Sequence, residues 1–138
     1  MRGRDLPTSR QAIKVIVQII AGKKQGKNNF YELGCGRGGV MVAVKKIFPK
    51  LTVFGLEKNG LQIFFAKLKS FFLGQKITLR KIDLFKADLE SADIVYIYLE
   101  RELMSKIEKK IKNKLKRGSV IITNTTSFPN WPPKETYI

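Results

Sequence analysis

Short strand-like runs alternate along this chain with segments whose apolar residues recur every three or four positions, and that alternation leaves few folds open. Strand patterns fall at Asn29 to Leu33, Leu51 to Leu56, Lys76 to Ile82, Asp93 to Leu99 and Ser119 to Asn124. Helical spacing covers Gln11 to Ala21, with Ile13, Ile16, Val17 and Ile20 on one face, then Val40 to Phe48, where Pro49 stops it. Asn59 opens a third helix with Leu61, Phe64, Phe65, Leu68, Phe71 and Phe72 on its apolar side, and a fourth runs from Arg101 to Leu115. Strands separated by amphipathic helices build a parallel sheet covered on both faces. Only the connection from Asp83 to Ser91 is too short for a full helix, and it predicts at most one helical turn.

A chain of 138 residues makes one domain. It leaves no room for a second domain devoted to substrate. Twenty-seven basic against 11 acidic residues give a net charge of +16, spread along the whole chain and mostly lysine. Such a field attracts polyanions, acidic protein surfaces or anionic headgroups. No arginine-rich cluster or aromatic stacking motif marks a dedicated nucleic-acid patch. There is no histidine, which excludes a His-based zinc site and a Ser-His-Asp triad, and the single cysteine, Cys35, excludes an internal disulfide. The longest apolar stretch, Ile13 to Ala21, is interrupted by Lys14 and Gln18 and falls short of a membrane span. A cytoplasmic location is the default expectation.

The residues that carry chemistry are Glu32-Leu-Gly-Cys-Gly-Arg-Gly38, at the carboxyl end of the first strand and just before a helix. Ligands of open α/β sheets bind outside the carboxyl ends of the strands, where strand order reverses. Gly34 and Gly36 allow a ligand to approach the backbone, and Glu57, about 20 residues on, can accept both hydroxyls of a ribose. Gly34, Gly36 and Gly39 also satisfy the dinucleotide fingerprint, G-x-G-x-x-G. A pyrophosphate would then sit on the helix N-terminus, and Glu32 works against an anion there. S-adenosylmethionine has no phosphate and carries an ammonium and a sulfonium, which suit an acidic residue beside the turn. That residue and the missing substrate domain favour the methyl donor over NAD. Asp83, after the third strand, is placed to meet an adenine amino group with Leu84 or Phe85 against the ring; a loop aspartate capping a turn is the plainer reading.

From Pro7 to Glu135 the order of features resembles class I S-adenosylmethionine-dependent methyltransferases. More narrowly, it is similar to the small protein-lysine methyltransferases, which include archaeal broad-specificity enzymes and the mitochondrial enzymes acting on the adenine nucleotide translocase and the ATP synthase c subunit. The resemblance rests on Leu6-Pro-Thr8, on Tyr31-Glu-Leu-Gly-Cys-Gly36, on the segment from Asp83 to Leu99, and on the tail Phe128-Pro-Asn-Trp-Pro-Pro-Lys-Glu135. It implies a Rossmann-like parallel sheet of order 3-2-1-4-5, with a lid helix over residues 1–22, a core over 23–124 and a tail over 125–138. It implies that Glu32, Gly34, Gly36, Glu57 and Asp83 hold S-adenosylmethionine while Pro7 and Thr8 close over it; Cys35 belongs to the same turn. The chain departs from the family at Arg37, where an aspartate is usual, and at Asp5, where an aromatic residue is usual. Its end at Ile138 falls before the final strands of family members, which are expected to be missing.

The expected acceptor is a protein with an accessible lysine. Its pocket is expected at the end of the fourth strand, from Tyr98, Leu99 and Glu100, with Phe128 and Trp131 arriving from the tail. Trp131 can embrace a lysine stem and cation, or simply anchor the tail. Tyr96 is expected in the core. Two alternatives stay open. One is an RNA methyltransferase, which the charge favours through phosphate attraction; no Asn/Asp-Pro-Pro-aromatic motif follows the fourth strand, and no Pro-Cys nucleophile exists. The other is a truncated, non-catalytic methyltransferase-like binding domain.

Overall fold

The computed structural model describes residues 8–36 and 38–137. Five strands, β1 (Asn29–Leu33), β2 (Thr52–Glu57), β3 (Ile77–Lys81), β4 (Ile94–Ile97) and β5 (Val120–Thr123), form one sheet of order β3-β2-β1-β4-β5. Every neighbouring pair is parallel. The expected Rossmann-like order is therefore the one found. Strand order reverses between β1 and β4, which places the switch point at the carboxyl end of β1.

Alternation along β1 divides the core in two. Phe30 joins Ile16, Ile20, Met41, Val44 and Ile63 on the face covered by α1 (Arg10–Lys23), α2 (Gly39–Ile47) and α3 (Gly60–Phe72). Tyr31 and Leu33 face the other way, among Val95, Ile97, Met104 and Ile107, under α4 (Arg101–Lys114). The helix starts follow their cap residues. Ser9 Oγ accepts from Ala12 N at 3.1 Å, and Asn59 Oδ1 accepts from Leu61 N and Gln62 N at 2.9 and 3.2 Å. The short connection between β3 and β4 holds a single 3-10 turn, Leu84–Lys86, as its length predicts. At the amino end of the sheet Asp93 ties three segments together. Its Oδ2 accepts from Asn28 N and Asn29 N, both at 2.9 Å, and its other oxygen pairs with Lys116.

The structure departs from the sequence pattern at two elements. The strand expected from Asp93 to Leu99 closes at Ile97, so Tyr98 and Leu99 stand in the loop beyond it. The third helix buries Ile63, Ala66 and Ser70, while the side marked as apolar by its periodicity faces outward. The small residues let the helix lie close to its neighbours: a Cβ built on Gly38 would come within 3.5 Å of Ala66 Cβ.

Candidate functional site

The chain leaves β1 through an abrupt turn. Leu56 O, near the end of β2, accepts from both Gly34 N at 2.8 Å and Cys35 N at 3.0 Å. Gly34, Gly36 and Gly38 hold φ of +75°, +51° and +84°, values that L side chains rarely adopt. A Cβ on Gly34 would lie 3.1 Å from Leu99 Cδ2 and 3.9 Å from Leu84 Cδ1, so the turn, the 3-10 segment and the loop after β4 converge. A Cβ on Gly36 would meet nothing within 4 Å. The backbone there borders open space at the switch point.

Glu32 lies beneath this turn with 5% of its surface exposed, and its Oε2 accepts from Met41 N at 3.0 Å. That bond ties the first turn of α2 to β1. Burial pushes the Glu32 carboxyl up to about 8; the Met41 N–H opposes the rise and the negative charge of Glu57 adds to it. Cys35 is buried as well. Burial, then the charges of Glu32 and Glu57, hold its thiol well above the ordinary range, so it is no thiolate nucleophile. Glu57 is half-buried at the end of β2, and its Oε2 accepts from Lys58 N at 2.8 Å. Gly55, opposite Glu32 in the sheet, was not singled out in the sequence. A Cβ there would press on Met41 Sδ at 2.5 Å, Leu79 Cδ2 at 2.8 Å and Cys35 Sγ at 3.1 Å, so any larger residue beneath the turn would make these side chains shift.

Asp83 Oδ1 accepts from Phe85 N at 3.0 Å and caps the 3-10 turn. Leu84 is half-buried, and its carbonyl accepts from Lys110 Nζ at 2.7 Å. Thr8 Oγ1 and the Tyr96 hydroxyl hydrogen-bond at 3.0 Å, and Asn124 Nδ2 donates to the same hydroxyl at 3.2 Å. Tyr96 is in the core as expected, with 1% of its surface exposed, yet its hydroxyl ties the entry to α1 and the end of β5 to one point. Sequence reasoning missed this link; the only signal was a polar tip inside an apolar strand. Pro7, Arg37 and Asp5 lie outside the described residues.

Tyr98 and Leu99 are half-buried in the loop after β4, and Glu100 is exposed at the start of α4. Trp131 is not brought to them. After β5 the tail turns back along α4: Phe128 is buried in the core, and Glu108 Oε1 accepts from Asn130 N at 2.9 Å. Trp131 then stacks on Phe128 with ring centroids 5.7 Å apart, and Lys112 Nζ lies 5.4 Å from its ring. It lines a cleft with Ile111, Leu115, Gly118 and Ile121, toward the amino end of β5 and away from the glycine turn. The tail is anchored along α4, apart from the loop after β4 where the substrate pocket was expected.

Residues 32–135 match the model of the ANTKMT methyltransferase domain. A protein-lysine N-methyltransferase of Saccharolobus islandicus (strain REY15A) is 24% identical over 132 residues, which cover 94% of this chain and 81% of that protein. A carboxy-S-adenosyl-L-methionine synthase of Campylobacter hominis is 24% identical over 127 residues, covering 88% of this chain and 54% of that one. Among solved structures, an RNA methyltransferase of Salinibacter ruber, in complex with S-adenosyl-L-homocysteine, shares the fold with a TM-score of 0.89 at 20% identity. That match covers 96% of this chain and 86% of the other.

Proposed function

The chain belongs to the ANTKMT methyltransferase domain family, a methyltransferase that draws on S-adenosylmethionine, and from that premise we propose that its acceptor is the side-chain amine of a protein lysine. The donor fits the residues present. The open space above Gly36 admits a ligand against the backbone, and Leu84 and Leu99 converge beside Gly34 as apolar walls for an adenine. Glu57 would take the ribose hydroxyls, and Asp83, with its capping bond kept, would border the base. The carboxylate of Glu57, joined by that of Glu32 once a bound cation draws off its proton, makes the turn a poor place for a pyrophosphate and a good one for a cation. Thr8, held by Tyr96, and Pro7 would close the site from the amino-terminal side.

When bound, S-adenosylmethionine supplies an electrophilic methyl group on a sulfonium. The protein's part is to align an amine with it, and orientation alone accounts for much of the rate in such a transfer. Tyr98 and Leu99, half-buried beyond β4, would exclude water around the acceptor, and Glu100 would orient the amine from the start of α4. A lysine drawn into that apolar mouth loses its proton more readily, because burial disfavours the ammonium. No dedicated base is then needed, and the proton leaves to solvent before transfer. Trp131 has no place in this pocket.

The lysine reading is carried by the extent of the likeness to the archaeal protein-lysine N-methyltransferase, 94% of this chain and 81% of that protein. A nucleic-acid acceptor is the second reading, favoured by the charge of +16. Calorimetric titration with S-adenosylmethionine and with NAD, repeated on Glu57→Ala, tests the donor: we expect binding of the first only, weakened at least about tenfold in the variant, the loss of one charge-assisted contact. Incubation of labelled donor with protein and RNA fractions then tests the acceptor. Methyl-lysine in digested protein supports the proposal; label confined to RNA overturns it.

A further inference from the structure

Exposed apolar surface on this molecule is concentrated on one helix. Among the described residues, seven of the eleven large hydrophobic side chains that are exposed lie between Leu61 and Leu73. Phe71 and Phe72 are 77% and 75% exposed, and Leu61 and Phe64 64% and 58%. At about 100° per residue, Leu61, Phe64, Leu68, Phe71 and Phe72 fall in one stripe on the side of α3 opposite Ile63, Ala66 and Ser70. The stripe is roughly 16 Å long at about 1.5 Å per residue. Lys67 falls on one border of it and Lys69 on the other. From Lys58 to Ile82 the chain carries six basic residues, Lys58, Lys67, Lys69, Lys76, Arg80 and Lys81, and no acidic one. Lysine is spread over the rest of the molecule too, but among the described residues no other stretch joins it to so many exposed large apolar side chains.

We infer that the outer face of α3 docks the protein on an anionic lipid surface, with the phenylalanine stripe in the headgroup boundary and the bordering lysines against lipid phosphates. A convex helix with an aromatic and aliphatic stripe edged by lysine has the chemistry of an interfacial helix. Its lysines can lay their stems along the apolar surface and keep their ammonium groups at headgroup level. Each basic residue near such a surface adds to the attraction. A second copy of the chain suits the stripe less well, because two stripes would meet between lysine borders of like sign on molecules of charge +16. The helix lies on the surface rather than crossing it: at 13 residues, about 20 Å, it is shorter than the hydrocarbon core. This inference stands apart from the choice of acceptor, since no residue of the stripe belongs to the donor site.

Flotation with vesicles of phosphatidylcholine alone, and of phosphatidylcholine with about a third phosphatidylglycerol, tests it on the full chain. Wild type is expected to float with the anionic vesicles and to keep part of that binding at high salt. The triple change Phe64→Ser, Phe71→Ser, Phe72→Ser leaves the charge unaltered and is expected to weaken binding at least about tenfold and abolish the salt-resistant part. The same three positions changed to leucine are expected to retain it. Circular dichroism and donor titration show that each variant is folded, as these side chains are outside the core. Equal flotation of wild type and the serine variant, or no flotation of wild type, overturns the inference. So does a wild-type dimer that the serine variant dissolves without any change in vesicle binding.

Discussion

The Glu32 carboxyl keeps its proton to about pH 8 in the folded chain, whereas in the unfolded chain it ionises near 4.5. Between those values the folded state binds the extra proton, so this group makes stability fall as pH rises from about 4.5 to about 8. A cationic ligand at the turn reverses the preference, because it favours the carboxylate. Binding of S-adenosylmethionine should therefore release a proton in that window and strengthen as pH rises toward 8. Calorimetry at pH 6.5 in two buffers of different ionisation enthalpy checks this: the heats are expected to differ by the released proton, and Glu32→Gln is expected to abolish the difference. Equal heats in wild type would mean that Glu32 stays protonated beneath the donor and acts only through its bond to Met41 N.

At the scale of elements, periodicity read the order of strands and helices well, because it reports which residues share a face. It cannot report which face turns inward. On α3 the aromatic residues form the regular stripe, yet the face turned to the sheet carries Ile63, Ala66 and Ser70, of which Ala66 and Ser70 are small enough to bring the helix close. The glycine turn and Glu57 were legible because chemistry and position coincide there. Gly55 and the Thr8–Tyr96–Asn124 link were not, since each depends on partners distant in sequence. Which of its two expected places the tail takes was not legible for the same reason: its path is set by Phe128 in the core and by Glu108, 2% exposed, bonding to Asn130. Glu108→Ala should release it, at a cost of about 1.5–3 kcal/mol for bonds to a charged group. Trp131 is the only tryptophan, so its emission reports the tail directly. The expected result is a red shift with donor affinity unchanged. A loss of donor binding in this variant would restore the tail to the site.

Over the whole molecule, the lysines are mostly without acidic partners near enough to matter: ion pairs among the described residues are Lys23–Glu135 and Lys116–Asp93, and the net charge is +16. Self-repulsion of that size works against the compact state, and salt relieves it as the screening length shortens from about 30 Å at 0.01 M to about 10 Å at 0.1 M. The melting temperature should rise by a few degrees over this range, an increment on the order of 1 kcal/mol. Acceptor capture responds to the same field with a sign set by the acceptor. A lysine flanked by acidic residues is steered to the protein at low salt and should lose kcat/KM as salt rises, mostly through association. A lysine among other lysines is repelled and should gain. Peptides of both kinds, assayed from 0.01 to 0.3 M salt, distinguish the cases. If both slopes are flat, the acceptor meets the carboxyl end of the sheet at a locally neutral patch, and the charge serves an anionic partner elsewhere on the surface, for which the lysine borders of α3 are the first place to look.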